Sequence, residues 1–213
     1  MKIGKPPPDE LDDAKAELRS VARERREHFH RHEGAAAARA VRDRFLARVP
    51  LAAGASVAGY CAFGSEFDPM PLMQALDARG HVLALPVVVR RAAPLVFRLW
   101  KPGDELTHHK FGMREPLPTQ PQIEPDVLLV PLLGYDEQGN RIGYGGGFYD
   151  RTIAGLRARG RTRAVGVAYA VQRFERIPCG PHDQTLDWIV TEKAAIDVNR
   201  EARRHGWRAW WPW

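Results

Sequence analysis

Residues 139–151 read Gly-Asn-Arg-Ile-Gly-Tyr-Gly-Gly-Gly-Phe-Tyr-Asp-Arg. The run is dense in glycine and carries two arginines and an aspartate. It follows a continuous apolar pattern at Val127–Val130 and leads into a helical pattern at Phe148–Arg159. Glycines in that position let the backbone approach a ligand closely and turn its N–H groups toward an anion. The helix that follows adds a partial positive charge at its start. Arginine offers a forked donor suited to phosphate, and Asp150 a hard oxygen ligand of the kind Mg²⁺ prefers. A polyphosphate with its metal is the guest that this chemistry suits.

Two common glycine-loop readings are excluded. Gly-x-x-x-x-Gly-Lys-Ser/Thr is absent. Gly143 and Gly145 begin a dinucleotide fingerprint, but Phe148 stands where its third glycine belongs.

Working outward, strand and helix patterns alternate. Ser56–Cys61, His81–Pro86, Leu95–Trp100, Arg163–Ala168 and Trp188–Val190 read as strands, and Pro69–Arg79 as a helix stopped by Gly80. Toward the N-terminus, a helix from Glu10 and a second over Ala35–Val49 are expected. Residues 101–126, rich in Pro, Gly and charge, read as a long loop with little regular structure. The expected fold is α/β: one domain with a mostly parallel open sheet, helices on both faces in a Rossmann-like three-layer arrangement, and N-terminal helices. The expected organisation is a flexible stretch 1–8, a domain 9–198 and a basic, Trp-rich tail 199–213.

The 213-residue chain suits one domain, and 44% hydrophobic residues suffice for a core. No apolar run is long enough to cross a bilayer and no secretory signal opens the chain, so no membrane association is expected. The only two cysteines, Cys61 and Cys179, form neither a disulfide framework nor a zinc site, which fits a reducing cytoplasm. The net charge of +6 and pI ≈ 9.6 are compatible with an anionic ligand. No nucleic-acid-binding signature accompanies the charge, so no nucleic-acid partner is expected.

Three other elements carry polar chemistry. Lys15 and Arg19 lie four apart and share a helix face, either clamping phosphates or simply solvated. Glu66, in Gly64-Ser65-Glu66-Phe67-Asp68, follows the first strand and can accept hydrogen bonds from a polar ligand. His182-Asp183-Gln184-Thr185-Leu186-Asp187 can complete a metal site with Asp150. Alternatively Asp183 caps a turn and Asp187 pairs with an arginine.

Together these pieces resemble the 5-formyltetrahydrofolate cyclo-ligase (5,10-methenyltetrahydrofolate synthetase) family. The stretch Val130 to Arg151 is similar to the family's signature almost throughout. Lys15…Leu18-Arg19, the Glu66 loop, Phe111-Gly112-Met113-Arg114-Glu115-Pro116 and His182-Asp183…Asp187…Val190-Thr191-Glu192 follow in the family's order. The resemblance spans roughly residues 12–193. It implies an ATP- and Mg²⁺-dependent closure of 5-formyltetrahydrofolate, polyglutamylated forms included, to 5,10-methenyltetrahydrofolate with release of ADP and phosphate, by a monomer. Carried over by position, it places Lys15, Arg19, Arg141, Ile142, Gly143, Tyr144, Gly145, Gly146, Gly147, Phe148 and Tyr149 at ATP. Cys61, Glu66 and Tyr144 through Phe148 fall at the folate, and Asp150 and Asp183 at Mg²⁺. Arg141 and Asp150 are the implied catalytic pair. The chain departs from many relatives at Pro86-Val87, where they have an arginine after the proline. Two rival readings are a binding module of this fold without turnover and a basic nucleic-acid-binding protein.

Overall fold

The computed structural model describes residues 8–108, 114–160 and 162–200. Phe111 to Met113 of the quoted motif lie outside these, as do residues 1–7 and the tail from 201.

The chain opens with one helix, α1 (Pro8–Arg48). The expected pair of N-terminal helices is therefore a single 41-residue helix, about 60 Å long at 1.5 Å per residue. Gly34 is not a break. A Cβ there would stand 3.1 Å from His30 Nδ1 and 3.3 Å from the Tyr169 hydroxyl, so glycine serves close packing. Pro8, expected within the flexible start, opens the helix, where its missing N–H costs nothing.

After α1 come β1 (Ser56–Ala58), α2 (Met70–Asp77), β2 (Val82–Val87) and β3 (Val96–Leu99). Next are β4 (Leu106–His108), β5 (Arg114–Pro116), β6 (Gln122–Ile123) and β7 (Val127–Val130). Then follow β8 (Gly134–Tyr135), β9 (Arg141–Ile142), α3 (Phe148–Arg159) and β10 (Arg163–Val167). A 3₁₀ turn at Ala170–Gln172 precedes β11 (Trp188–Val190) and β12 (Ala195–Asp197).

The main sheet runs β12-β11-β10-β7-β1-β2-β3-β6. Its centre is parallel from β11 to β2, whereas β12, β3 and β6 pair antiparallel. This is the expected mostly parallel α/β sheet with antiparallel margins.

Residues 101–126 correct the expectation of an irregular loop. β4 and β5 form a hairpin with Thr107 opposite Glu115, and β6 extends the sheet edge with Ile123 opposite Phe97. These strands are two or three residues long and largely polar, too short for an alternating pattern to show.

Alternation through the central strands divides the core. Val57, Leu83, Leu85, Val127, Leu129, Val165 and Val190 face α1 and α2, packing with Val41, Phe45, Leu72, Met73 and Leu76. Ala58, Ala84, Leu128, Val130, Ala164 and Ile189 face α3, packing with Ile153 and Leu156. Each fully buried Phe, Leu or Ile contributes about 1.5–3 kcal/mol relative to exposure.

The N-terminal half of α1 has a different partner. Ala22, with Leu18 against it, packs on Leu133, Ile142 and Ile177. One rigid helix thus reaches from the sheet to the β8–β9 hairpin, carrying Lys15 and Arg19 to the glycine run. Among the described residues no helix is long and apolar enough to cross a membrane.

Candidate active site

A cavity of about 620 Å³ opens beyond the carboxyl ends of the parallel strands. Tyr60 and Cys61 reach it from β1, Pro86 and Val88 from β2, and Pro131 from β7. Ligand sites of open parallel sheets form at this edge.

The glycine run is held from both sides. Upstream, buried Asp136 accepts hydrogen bonds from the N–H groups of Gln138, Asn140 and Ile177 and from Asn140 Nδ2, at 2.9–3.0 Å. That fixes the β8–β9 turn and aims Arg141. Downstream, Gly147 at φ +63° leads into α3, whose first N–H groups have no partner within the helix. Arg19 Nε donates to the Gly143 carbonyl at 3.0 Å, and Arg151 Nη2 to that of Gly146 at 2.6 Å. The two arginines thus occupy loop carbonyls.

Two ion pairs line the same wall. Arg141, with a side chain 5% exposed, donates from Nη2 to Asp150 Oδ1 at 2.7 Å and from Nη1 to the Gln184 carbonyl. The Gln184 N–H donates to the same Asp150 oxygen at 3.0 Å. Lys15 pairs with Asp183 Oδ2, which also accepts from the Gly180 N–H at 2.7 Å. Asp183 therefore does cap a turn, and Asp187 does pair with an arginine: Arg157 Nη2 lies 2.7 Å away. Asp187 and His182 do not line the cavity.

The rest of the lining is aromatic and acidic. Glu66 Oε2 accepts from the Phe63 N–H at 2.9 Å. Burial first, and the Glu66 charge next, push the hydroxyls of Tyr60, Tyr144 and Tyr149 well above the usual phenol range. They remain protonated, and the Tyr60 hydroxyl donates to the Phe67 carbonyl at 2.9 Å. Burial likewise raises the Cys61 thiol, against the lowering effect of Arg114. Buried Glu115 accepts from the Val88 N–H at 2.9 Å and fixes the β4–β5 hairpin to the end of β2.

Every residue that the resemblance placed at ATP, folate or metal lines this one cavity, from Lys15 and Arg19 through Cys61 and Glu66 to the 141–150 run and Asp183. Asp12, Tyr60, Phe63, Leu95, Arg114 and Glu115 also line it. Arg114 and Glu115 sit in a quoted motif, and Tyr60 precedes Cys61. Phe63 and Leu95 carry no signal that sequence reading could use.

Asp150 and Asp183 suit a hard divalent cation. Each is partly exposed to the cavity, and each has one carboxylate oxygen that makes no hydrogen bond among the described residues. Among the described residues no group of three or more His, Cys, Asp or Glu gathers into an all-protein metal cage. Mg²⁺ is commonly held in this way, by one or two carboxylates plus water and phosphate.

The chain matches the family model described as the 5-formyltetrahydrofolate cyclo-ligase family over residues 12–192. It is 34% identical over 153 residues to the 5-formyltetrahydrofolate cyclo-ligase of Escherichia coli (strain K12), covering 70% of this chain and 84% of that one. Identity to the 5-formyltetrahydrofolate cyclo-ligase of Mycolicibacterium smegmatis is 36% over 151 residues, 67% of this chain and 76% of the relative. The NMR structure of Aquifex aeolicus 5,10-methenyltetrahydrofolate synthetase superposes with a TM-score of 0.72 at 29% identity, covering 86% of this chain and 92% of that one.

Proposed function

This chain belongs to the 5-formyltetrahydrofolate cyclo-ligase family and is a ligase of that kind, and from that premise we propose how its cavity performs the reaction. ATP transfers its γ-phosphoryl group to the formyl oxygen of 5-formyltetrahydrofolate, leaving ADP and an imidate-like phosphate. N10 then attacks the formyl carbon, the C–O bond breaks, phosphate departs and N10 loses its proton. The product is 5,10-methenyltetrahydrofolate.

The protein's task is to hold two substrates in line and to neutralise the transferring phosphoryl group. The glycine run, with the start of α3, holds the phosphates. Lys15 and Arg19 approach from α1, and Arg141 from β9. Asp150 and Asp183 would hold Mg²⁺, which supplies charge neutralisation across the phosphates. Lys15, paired with Asp183 on the same wall, would add positive charge beside the phosphates. Glu66 accepts the pterin N–H groups, and Cys61 lines that pocket. The Tyr144 and Tyr149 hydroxyls near Glu66 stay protonated and can donate.

One observation carries this reading. The phosphate-type residues, with their arginines and paired carboxylates, and Glu66 with its aromatic neighbours line a single cavity. Transfer between two substrates requires that arrangement. Two free cysteines support a reducing compartment.

The test is conversion of 5-formyltetrahydrofolate by the purified chain with Mg²⁺ and ATP, with ADP measured in parallel. One ADP per methenyl product is expected. Tight binding of both ligands without ADP release would leave a binding module instead.

A further inference from the structure

Arg26 does not line the cavity, yet it bonds to two loops that do. It lies on α1 and is 5% exposed. Nε donates to Ser65 Oγ at 3.1 Å, beside Glu66. Nη1 donates to the Tyr144 hydroxyl of the glycine run at 2.5 Å, and the guanidinium lies 5.6 Å from the centre of that ring. Among the described residues Arg26 makes no ion pair, and its side-chain hydrogen bonds go to hydroxyls. A buried guanidinium without a carboxylate carries a large desolvation cost. Lysine could supply the charge, but not two donors at a fixed angle.

The fixed angle has a consequence. Ser65 and Tyr144 stand far apart in sequence on separate loops. One planar group bonded to both means that neither loop can shift without disturbing the other. Tyr144 is 46% exposed beside Gly145 at φ +92°, and its hydroxyl lies near the Glu66 carboxylate as well as the Arg26 guanidinium.

We propose that Arg26 is a positioning residue that couples the two halves of the cavity. A ligand that fixes Tyr144 on the glycine run orders the Ser65–Glu66 loop for the second ligand, and the reverse follows by linkage. The inference rests on the reading that nucleotide occupies the glycine run and folate the Glu66 wall.

The experiment measures dissociation constants on the full chain for a non-hydrolysable ATP analogue with Mg²⁺ and for 5-formyltetrahydrofolate. Each is taken alone and with the other saturating. The wild-type chain is expected to bind each ligand at least about fivefold more tightly in the presence of the other, the lower end of ordinary coupling. Arg26→Gln and Ser65→Ala should each bring that factor below about twofold. Ser65→Ala removes a hydroxyl from a partly exposed loop and keeps the fold, so the test survives any instability of the arginine variant. A role in stability alone would lower the melting temperature while leaving the factor unchanged, and that result overturns the proposal. A wild-type factor near one overturns it as well. A folded wild-type chain that binds neither ligand overturns the functional reading first, and this inference with it.

Discussion

Arg141 Nη2 and Asp150 Oδ1 meet at 2.7 Å, joining the strand before Gly143–Gly147 to the first turn of the helix after them. The pair closes the run into a loop of fixed span. It also sets a carboxylate and a guanidinium side by side on the cavity wall, the pair to which the proposed function assigns the triphosphate and its metal. Asp150→Asn keeps an oxygen for the Gln184 N–H but removes the charge. Turnover should fall by about 100-fold or more, the scale of losing a group that acts on transition-state charge. The melting temperature should move by only a few degrees. Loss of fold together with activity, seen by circular dichroism, would make the residue structural instead.

Gly139 and Gly54 separate backbone strain from steric contact. Both have positive φ, +85° and +72°. A Cβ on Gly139 would stand 2.7 Å from the Leu186 carbonyl oxygen, whereas one on Gly54 meets nothing within 4 Å. Gly54→Ala should cost about 1 kcal/mol, from the left-handed conformation alone. Gly139→Ala should cost about 3 kcal/mol or more and lower activity, because its turn aims Arg141. Equal losses in urea unfolding would contradict this account of the turn.

Asp126 governs part of the acid limb of stability. The Ser56 N–H and then its hydroxyl, at 2.8 and 2.7 Å, hold the Asp126 carboxyl below the usual carboxylate range. A depressed carboxylate adds stability above the ordinary value near ~4, and that stability is lost as pH falls through the lower folded value. Asp126→Asn should therefore weaken the protein at pH 7 and differ less from wild type as the pH is lowered. An urea midpoint gap that stays constant from neutral pH to about pH 3 would dismiss the link.

The two thiols should resist alkylation. Burial raises Cys61, and it pushes Cys179 up to about 11, aided by Asp136 and Asp183. Thiolate is the reactive form, so iodoacetamide at pH 8 should label both more slowly than it labels the unfolded chain. Cys61 lines the cavity and Cys179 does not. Saturating 5-formyltetrahydrofolate should slow Cys61 further and leave Cys179 unchanged. Equal protection of both would place folate elsewhere.

The legible parts of the chain were those with long-range regularity or a dense local signal. α3 at Phe148–Arg159 and β11 at Trp188–Val190 have the bounds that periodicity predicts, and the 139–151 run lies where strand gives way to helix. What escaped depends on tertiary contact. Gly34 resembles a break until Tyr169 is seen against it. The β4–β5 and β8–β9 hairpins are too short to show a period, and β12 is a partly exposed margin strand. At the site, the lining residues followed from motif and resemblance. The pairing of Lys15 with Asp183, and the reach of Arg26 to two distant loops, required the fold.

The most direct measurement is the appearance of methenyl-folate absorbance when the purified chain meets 5-formyltetrahydrofolate, Mg²⁺ and ATP. Absorbance should rise with matching release of ADP, stop when ATP is omitted or the metal is chelated, and fall at least about 100-fold in Asp150→Asn. A folded wild-type protein that produces no methenyl-folate under those conditions would contradict the central claim.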